Sequence, residues 1–338
     1  MRFRNLLFKC VTLFSLVVFT GTSLLAGSKS DLILATATTG GTYYPVGVAI
    51  ATLTSIKLAK KHKITMTAIT SAGSGENVQL LKNKEADLAI LQGLFGAMAW
   101  QGKGKYEGKP ERNMRSVTML WQNVEHFVIL SNFVKSGDIS DMGNIKGEKF
   151  SIGKRGSGTE GSGRNILGEL GFDPDQDYDL AYLGYTPSAN ALQDRRIAGM
   201  NIPAGAPAGA ITQAFASIGT GKIRVLEFTD RQIEKVNRTY PVWSRYVIAP
   251  NTYPGQKKDI QTIAQPNLLV AHPNVPDDVI YKIVKTIYEN LPFLQNIHKA
   301  TYAMKLEKAI DGLPAPLHAG ALRYYKEKGL RIPPSLMP

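Results

Sequence analysis

What most restricts this chain is a repeated order of patterns. A short apolar run, a junction of glycine and hydroxyl residues, and a helical periodicity follow one another from residue 32 onward. Leu32 to Ala35 reads as a buried strand, and Pro45 suits a first helical turn. Val46, Ala49, Ile50 and Leu53 then keep helical spacing. Ile64 to Ile69 is the next strand, Asn77 to Lys82 begins a short helix, and Ala86 to Leu91 is a third strand. Strands separated by helices pair most simply in parallel, so a sheet flanked by helices is expected.

The same rhythm returns later. Val117 to Leu120 and His126 to Leu130 read as strands crossing to a second α/β set. That set runs through Lys149 to Ile152, a helix at Ile166, Leu167 and Leu170, and strands at Leu180 to Leu183, Ala198 to Ile202 and Ile223 to Phe228. Val247 to Pro250 begins the return, and Val279, Ile280, Ile283, Val284 and Ile287 stripe a late helix started by Pro276, Asp277 and Asp278. A chain of 338 residues accommodates two such units. The expected architecture is α/β with two lobes, each a mainly parallel sheet flanked by helices, and a cleft between them. One lobe takes residues 29–125 plus 248–338, the other 126–247.

Three strand-to-helix junctions look alike: Thr38-Thr39-Gly40-Gly41-Thr42-Tyr43-Tyr44-Pro45, Thr70-Ser71-Ala72-Gly73-Ser74-Gly75-Glu76-Asn77, and Gly153-Lys154-Arg155-Gly156-Ser157-Gly158-Thr159. Glycine lets a ligand approach backbone N–H groups. A helix start leaves such donors unpaired and carries partial positive charge. One loop of this kind reads equally well as a turn or a cap. Three at the carboxyl ends of strands point to a shared cleft that accepts a carboxylate or phosphate. Lys154 and Arg155 either pair with that anion or face solvent.

Louder motifs fail. Gly156-x-Gly158-x-x-Gly161 follows a strand, but alone it is a weak dinucleotide fingerprint. A phosphate loop needs lysine where Thr159 stands. Asp173-x-Asp175-x-Asp177 opens like a calcium loop, yet Tyr178 replaces the required glycine and Gly184 the closing glutamate. The five histidines are dispersed without metal-ligand spacing. No nucleophile elbow surrounds Ser74, Ser157 or Ser162. No catalytic set, metal or cofactor is therefore expected.

The beginning of the chain reads differently. Arg2, Arg4 and Lys9 precede an apolar run from Val11 to Phe19, extended by Leu24 and Leu25 and closed by Ala26-Gly27-Ser28. This is the pattern of a cleavable secretory signal over residues 1–28, against the alternative of an uncleaved anchor. The only cysteine, Cys10, lies inside it, so the exported chain has no thiol chemistry. Without that segment 37 basic residues face 27 acidic ones, a net of +10. The basic residues scatter over helix ends and loops, and export argues against nucleic acid.

At this point a family resemblance emerges. Gly40-Gly41-Thr42-Tyr43-Tyr44-Pro45, Ser71-x-Gly73-Ser74-x-Glu76-Asn77, Ala86-Asp87-Leu88-Ala89-Ile90-Leu91-Gln92 and Pro316-Leu317-His318-x-Gly320-Ala321-x-Arg323-Tyr324-Tyr325-Lys326-Glu327 occur in order. Together they resemble the TAXI family of TRAP-transporter solute-binding proteins. The resemblance implies a two-lobed periplasmic-binding-protein fold that closes on a solute and delivers it to TRAP membrane permease subunits. It also implies a monomeric, periplasmic receptor for a glutamate-like amino acid or a dicarboxylate. A receptor feeding occupancy to a membrane sensor is the alternative role. Carried over, Gly41, Thr42 and Tyr43 would line one wall, with Ser74, Asn77 and Gln92 beside them. Ser157, Gly158 and Thr159 would close from the other lobe. Lys154-Arg155 and Gly93-Leu94 depart from the family pattern. Two added cations and a missing acid lean toward a dicarboxylate, with Arg155 as a partner for the second carboxylate and Glu76 as the residue left to meet an ammonium.

Overall fold

The computed structural model describes residues 29–338, so the expected signal segment and Cys10 lie outside the described residues. The first unit runs β1 (Ser30–Ala35), α1 (Tyr43–His62), β2 (Ile64–Ile69), α2 (Ser74–Lys82), β3 (Leu88–Gln92), α3 (Gly93–Gln101) and β4 (Arg115–Val124). Strand β5 (Phe127–Leu130) opens the second unit. It continues through β6 (Lys149–Ser151), α4 (Gly158–Glu169), α5 (Pro174–Asp177), β7 (Asp179–Ala181), α6 (Tyr185–Gln193), β8 (Gly199–Asn201), α7 (Gly209–Ile218), β9 (Ile223–Val225) and α8 (Asp230–Val236). The chain then returns through β10 (Ser244–Ile248), β11 (Ile260–Ala271), α9 (Asp277–Glu289), α10 (Leu291–Ile297) and α11 (Ala319–Glu327).

Two sheets result. In the first, β2, β1 and β3 are parallel neighbours, and β11 pairs antiparallel with β3, β10 and β4. In the second, β7, β6 and β8 run parallel, and β5 lies antiparallel between β8 and β9. Each sheet therefore has one strand against the direction of the rest. The parallel strands are covered on both faces: Leu34, Leu88, Ala89, Ile90 and Leu91 are all fully buried, as continuous apolar runs require.

The lobes join where β4 passes into β5 through Glu125 and His126, and where the chain returns into β10. All of β10 belongs to the first sheet, so the 247/248 division drawn from sequence falls inside that strand. The backbone of Val124 exchanges hydrogen bonds with Ala204 of the second lobe. Glu125 N–H donates to Ile263 O, and His126 donates from Nδ1 to Ile202 O while its Nε2 accepts from Tyr253 Oη. Both ring nitrogens are thereby used, and burial lowers the His126 pKa to about 4.

The C-terminal motif is built for packing. His318 caps α11 by accepting from Gly320 N–H. A β-carbon on Gly320 would lie 2.1 Å from the Asp277 carbonyl oxygen, so glycine lets α11 seat against α9. Tyr324 and Tyr325 are buried against Tyr288, and Tyr325 Oη donates to Val117 O. Asp173, from the rejected calcium pattern, accepts from Asp175 and Gln176 N–H at the start of α5.

Candidate functional site

The three glycine-rich junctions meet between the lobes around one cavity of ≈ 20 Å³. From the first lobe it is lined by Thr38, Gly41, Thr42 and Tyr43, by Gly73 and Ser74, and by Gln92 at the end of β3. From the second come Gly158, Thr159, Tyr185 and Pro203. The starts of α1, α2, α4 and α6 converge here. Thr42 and Gly73, the residues preceding α1 and α2, make no side-chain cap, so those first-turn N–H groups stay free for a ligand.

Most hydroxyls at the wall have assigned directions. Tyr185 Oη donates to Pro203 O at 2.7 Å, so Thr159 must be the donor in its 2.8 Å contact with Tyr185. Thr42 donates across the cleft to Gly205 O at 3.0 Å. Ser74 Oγ accepts from Gln92 N–H, leaving its own proton to donate. Tyr43 Oη donates to Asn267 Oδ1 at 2.5 Å, and burial holds its pKa well above the ordinary tyrosine value. None of the lining residues is Lys or Arg. The positive partial charge at this wall comes from helix starts.

The closure is tight because glycines face the opposite lobe. A β-carbon on Gly41 would come 2.8 Å from the Tyr185 ring, and one on Gly158 2.8 Å from Ser74 Oγ. One on Gly161 would meet the Phe95 ring at 2.4 Å, and one on Gly75 would meet Gly156 O at 2.0 Å.

Of the residues named from sequence, Gly41, Thr42, Tyr43, Ser74, Gln92, Gly158 and Thr159 come together at the cavity. The others lie elsewhere. Asn77 Nδ2 donates to Ala35, Thr36 and Ile90 carbonyls and its Oδ1 accepts from Ser71, so it fastens α2 to β1 and β3. Glu76 bends the second loop by accepting from Ala72 N–H. Ser157 caps α4, accepting from Glu160 N–H. Arg155 lies with its guanidinium carbon 3.6 Å from the Tyr182 ring centroid, exposed and away from the lining residues.

Thr38, from the first junction, also lines the cavity, and Tyr185 and Pro203 line it from outside the three junctions. Tyr185 had a signal: Gly184-Tyr185-Thr186-Pro187 repeats the glycine, aromatic, hydroxyl and proline character of the first junction. A wider groove of ≈ 580 Å³ at the far edge of the second lobe gathers Lys149, Arg195, Arg196 and Lys222. There Lys149 and Arg196 already pair with Asp179 and Asp194.

Two lobes of mixed sheet closing on a cavity of helix N-termini define the class: this is the fold of the periplasmic solute-binding proteins. MatC from Rhodopseudomonas palustris, solved with bound malate, is 14% identical, covers 88% of this chain and 98% of its own, and has a TM-score of 0.54. The periplasmic binding protein BugD is 15% identical over 88% and 94%, with a TM-score of 0.52. A periplasmic transporter is 14% identical over 88% and 92%, with a TM-score of 0.50. The chain belongs to the NMT1-like family, whose family model matches residues 34–329.

Proposed function

We infer that this protein is an exported receptor that captures a small carboxylate solute between its lobes and delivers it to a membrane permease. The observation that carries this reading is the meeting of helix starts, three without side-chain caps, in one interlobe cavity lined by no Lys or Arg. Such a site suits a carboxylate held by N–H groups and by the Ser74 hydroxyl, whose proton is still free to donate. The second lobe contributes Gly158, Thr159 and Tyr185, so a single chain supplies both walls and the receptor works as a monomer.

Mechanism follows from size. A cavity of ≈ 20 Å³ holds about a single water, so a solute is admitted only when the lobes part. Closure then adds contacts absent from the open form, which is how a ligand shifts the population. The sequence motifs favour a TRAP permease of the TAXI type, and residues 1–28 direct export to the periplasm. With Arg155 stacked on Tyr182, the lean toward a second carboxylate loses its cation.

Calorimetric titration of the purified protein with glutamate, malate and succinate tests the reading, alongside small-angle scattering. Micromolar binding of at least one, accompanied by compaction, is expected. No heat with any small carboxylate would remove the ligand class.

A further inference from the structure

Behind Gln92 runs a row of buried polar side chains. Gln92 is paired in register with Asn267 of β11. Two residues along, on the same face, is Gln265, paired with Asn123 of β4. Two residues beyond Asn123, again on that face, is Glu125 at the crossover. All five are at most 3% exposed. Each nevertheless has a polar atom with no protein partner: Gln92 Oε1, Asn267 Nδ2, Gln265 Nε2, both amide atoms of Asn123, and Glu125 Oε1. From the second lobe, Asn201 donates Nδ2 to Glu125 Oε2 at 3.0 Å while its own Oδ1 is unpartnered. Buried polar groups are normally paired, and one left alone costs roughly 1–3 kcal/mol. A continuous row of them, starting at a cavity-lining residue, is therefore shaped for a polar partner.

We propose that this row is the inner half of the solute site, and that Glu125 receives a protonated nitrogen at the far end of the solute. The inference rests on the receptor reading above and adds the chemistry of the other end. The outer half has helix starts and no Lys or Arg, which suits a carboxylate. The inner half ends in a carboxyl group. Across the sheet the two ends are two strand spacings apart, roughly 10 Å, and along it they are offset by four residues, since Gln92 is level with Asn267 and Glu125 with Ile263. The fitting class is an extended ω-amino carboxylate, with amide groups between the ends for its hydration or hydroxyls.

Glu125 faces Asn201 from β8, Ser162 from α4, Trp243 ahead of β10 and Gln265 from β11, with Tyr43 and Tyr185 within range of its charge. Ser162, Trp243 and Gln265 favour its charged form, but none meets hydrogen-bond geometry at Oε1. His126 turns the other way, to Ile202 and Tyr253. None of these neighbours is Lys or Arg. Burial raises its pKa to about 7, so an arriving ammonium would ionise it and release a proton.

The test compares 6-aminohexanoate with adipate, which share a carboxylate and differ at the other end. Calorimetry at pH 6 in two buffers of different ionisation enthalpy reads the proton release from the unmodified protein. Tighter binding of 6-aminohexanoate with proton release is expected, and Glu125→Gln should weaken it about tenfold or more while sparing adipate. Adipate binding as well or better, or 6-aminohexanoate binding with no proton release, overturns the inner half and leaves the carboxylate receptor standing. An affinity for 6-aminohexanoate unchanged in Glu125→Gln does the same. If no carboxylate binds, both readings fall. Should Glu125→Gln not fold, the proton release decides.

Discussion

A β-carbon added to Gly75, on the first lobe, would sit 2.0 Å from the carbonyl oxygen of Gly156 on the second. Backbone meets backbone there, so no side chain can yield. On the receptor reading, the close approach belongs to the shut form. Gly75 is the second residue of α2 and has no left-handed φ, so its own helix would accept alanine and gain roughly 0.5–1 kcal/mol. Gly75→Ala is therefore expected to raise or preserve the melting temperature while weakening solute binding about tenfold or more. Calorimetry and thermal unfolding on the same preparation separate the two effects.

Thr42 and Gly205 form a second contact between the lobes, through the threonine hydroxyl. Thr42→Val keeps the shape and leaves a buried carbonyl without its donor. Affinity should fall by about 1–2 kcal/mol, and stability of the solute-free protein should change less than that. Equal losses in both would place the contact in the open form too.

Asn77 is a fastener: the carbonyls of Ala35, Thr36 and Ile90 converge on its amide. Asn77→Leu should cost on the order of 3 kcal/mol in chemical denaturation, because several buried acceptors lose their donor together. Affinity measured well below the melting temperature should drop less than in Thr42→Val.

Arg155 rests on Tyr182 at the surface. Arg155→Ala should leave solute affinity within about twofold, since exposed charges contribute little. A loss of tenfold or more would bring this residue into the site.

Glu125 and His126 pull stability in opposite directions with pH. Burial raises Glu125 from 4.5 to about 7, so between those values the folded state keeps a proton that the unfolded chain has lost. Its contribution to stability is present below pH 4.5 and is lost as pH rises through 7. Burial lowers His126 from 6.5 to about 4, so its contribution is present above 6.5 and is lost as pH falls through 4. The two offset each other over most of that window. Glu125→Gln removes one of them, and its stability relative to the unmodified protein should rise on the order of 3 kcal/mol from pH 4.5 to pH 8. Denaturant midpoints at five pH values would show the slope; a flat difference would mean Glu125 titrates near its ordinary value.

The strand at residues 260–271 marks where the sequence stops being legible. Pro266, between Gln265 and Asn267, interrupts the apolar run, and the periodicity there predicts no element. Yet β11 is the long antiparallel strand that joins β3, β10 and β4. Proline is tolerated because the ladder with β4 shifts register beside it. The polar neighbours fit because each meets a donor from the first lobe: Gln265 Oε1 accepts from Leu94 N–H and Asn267 Oδ1 from Tyr43 Oη.

The amino-acid order by itself determined the alternation of strands and helices, the parallel pairing that follows from it, and the glycine and hydroxyl character of the loops at the strand ends. These are local properties: apolar period, helix starts and positive-φ glycines act over a few residues. Only the tertiary structure decided which loop residues face the cavity and which tie the loop together. Ser74 and Asn77 lie one helical turn apart, and one points at the cleft while the other is spent on carbonyls. It alone brought Tyr185 opposite Gly41, set Arg155 on Tyr182, and lined up Gln92, Asn267, Gln265, Asn123 and Glu125 from three separate stretches of chain. Those neighbours are set by sheet register and lobe closure, which no short window of sequence encodes.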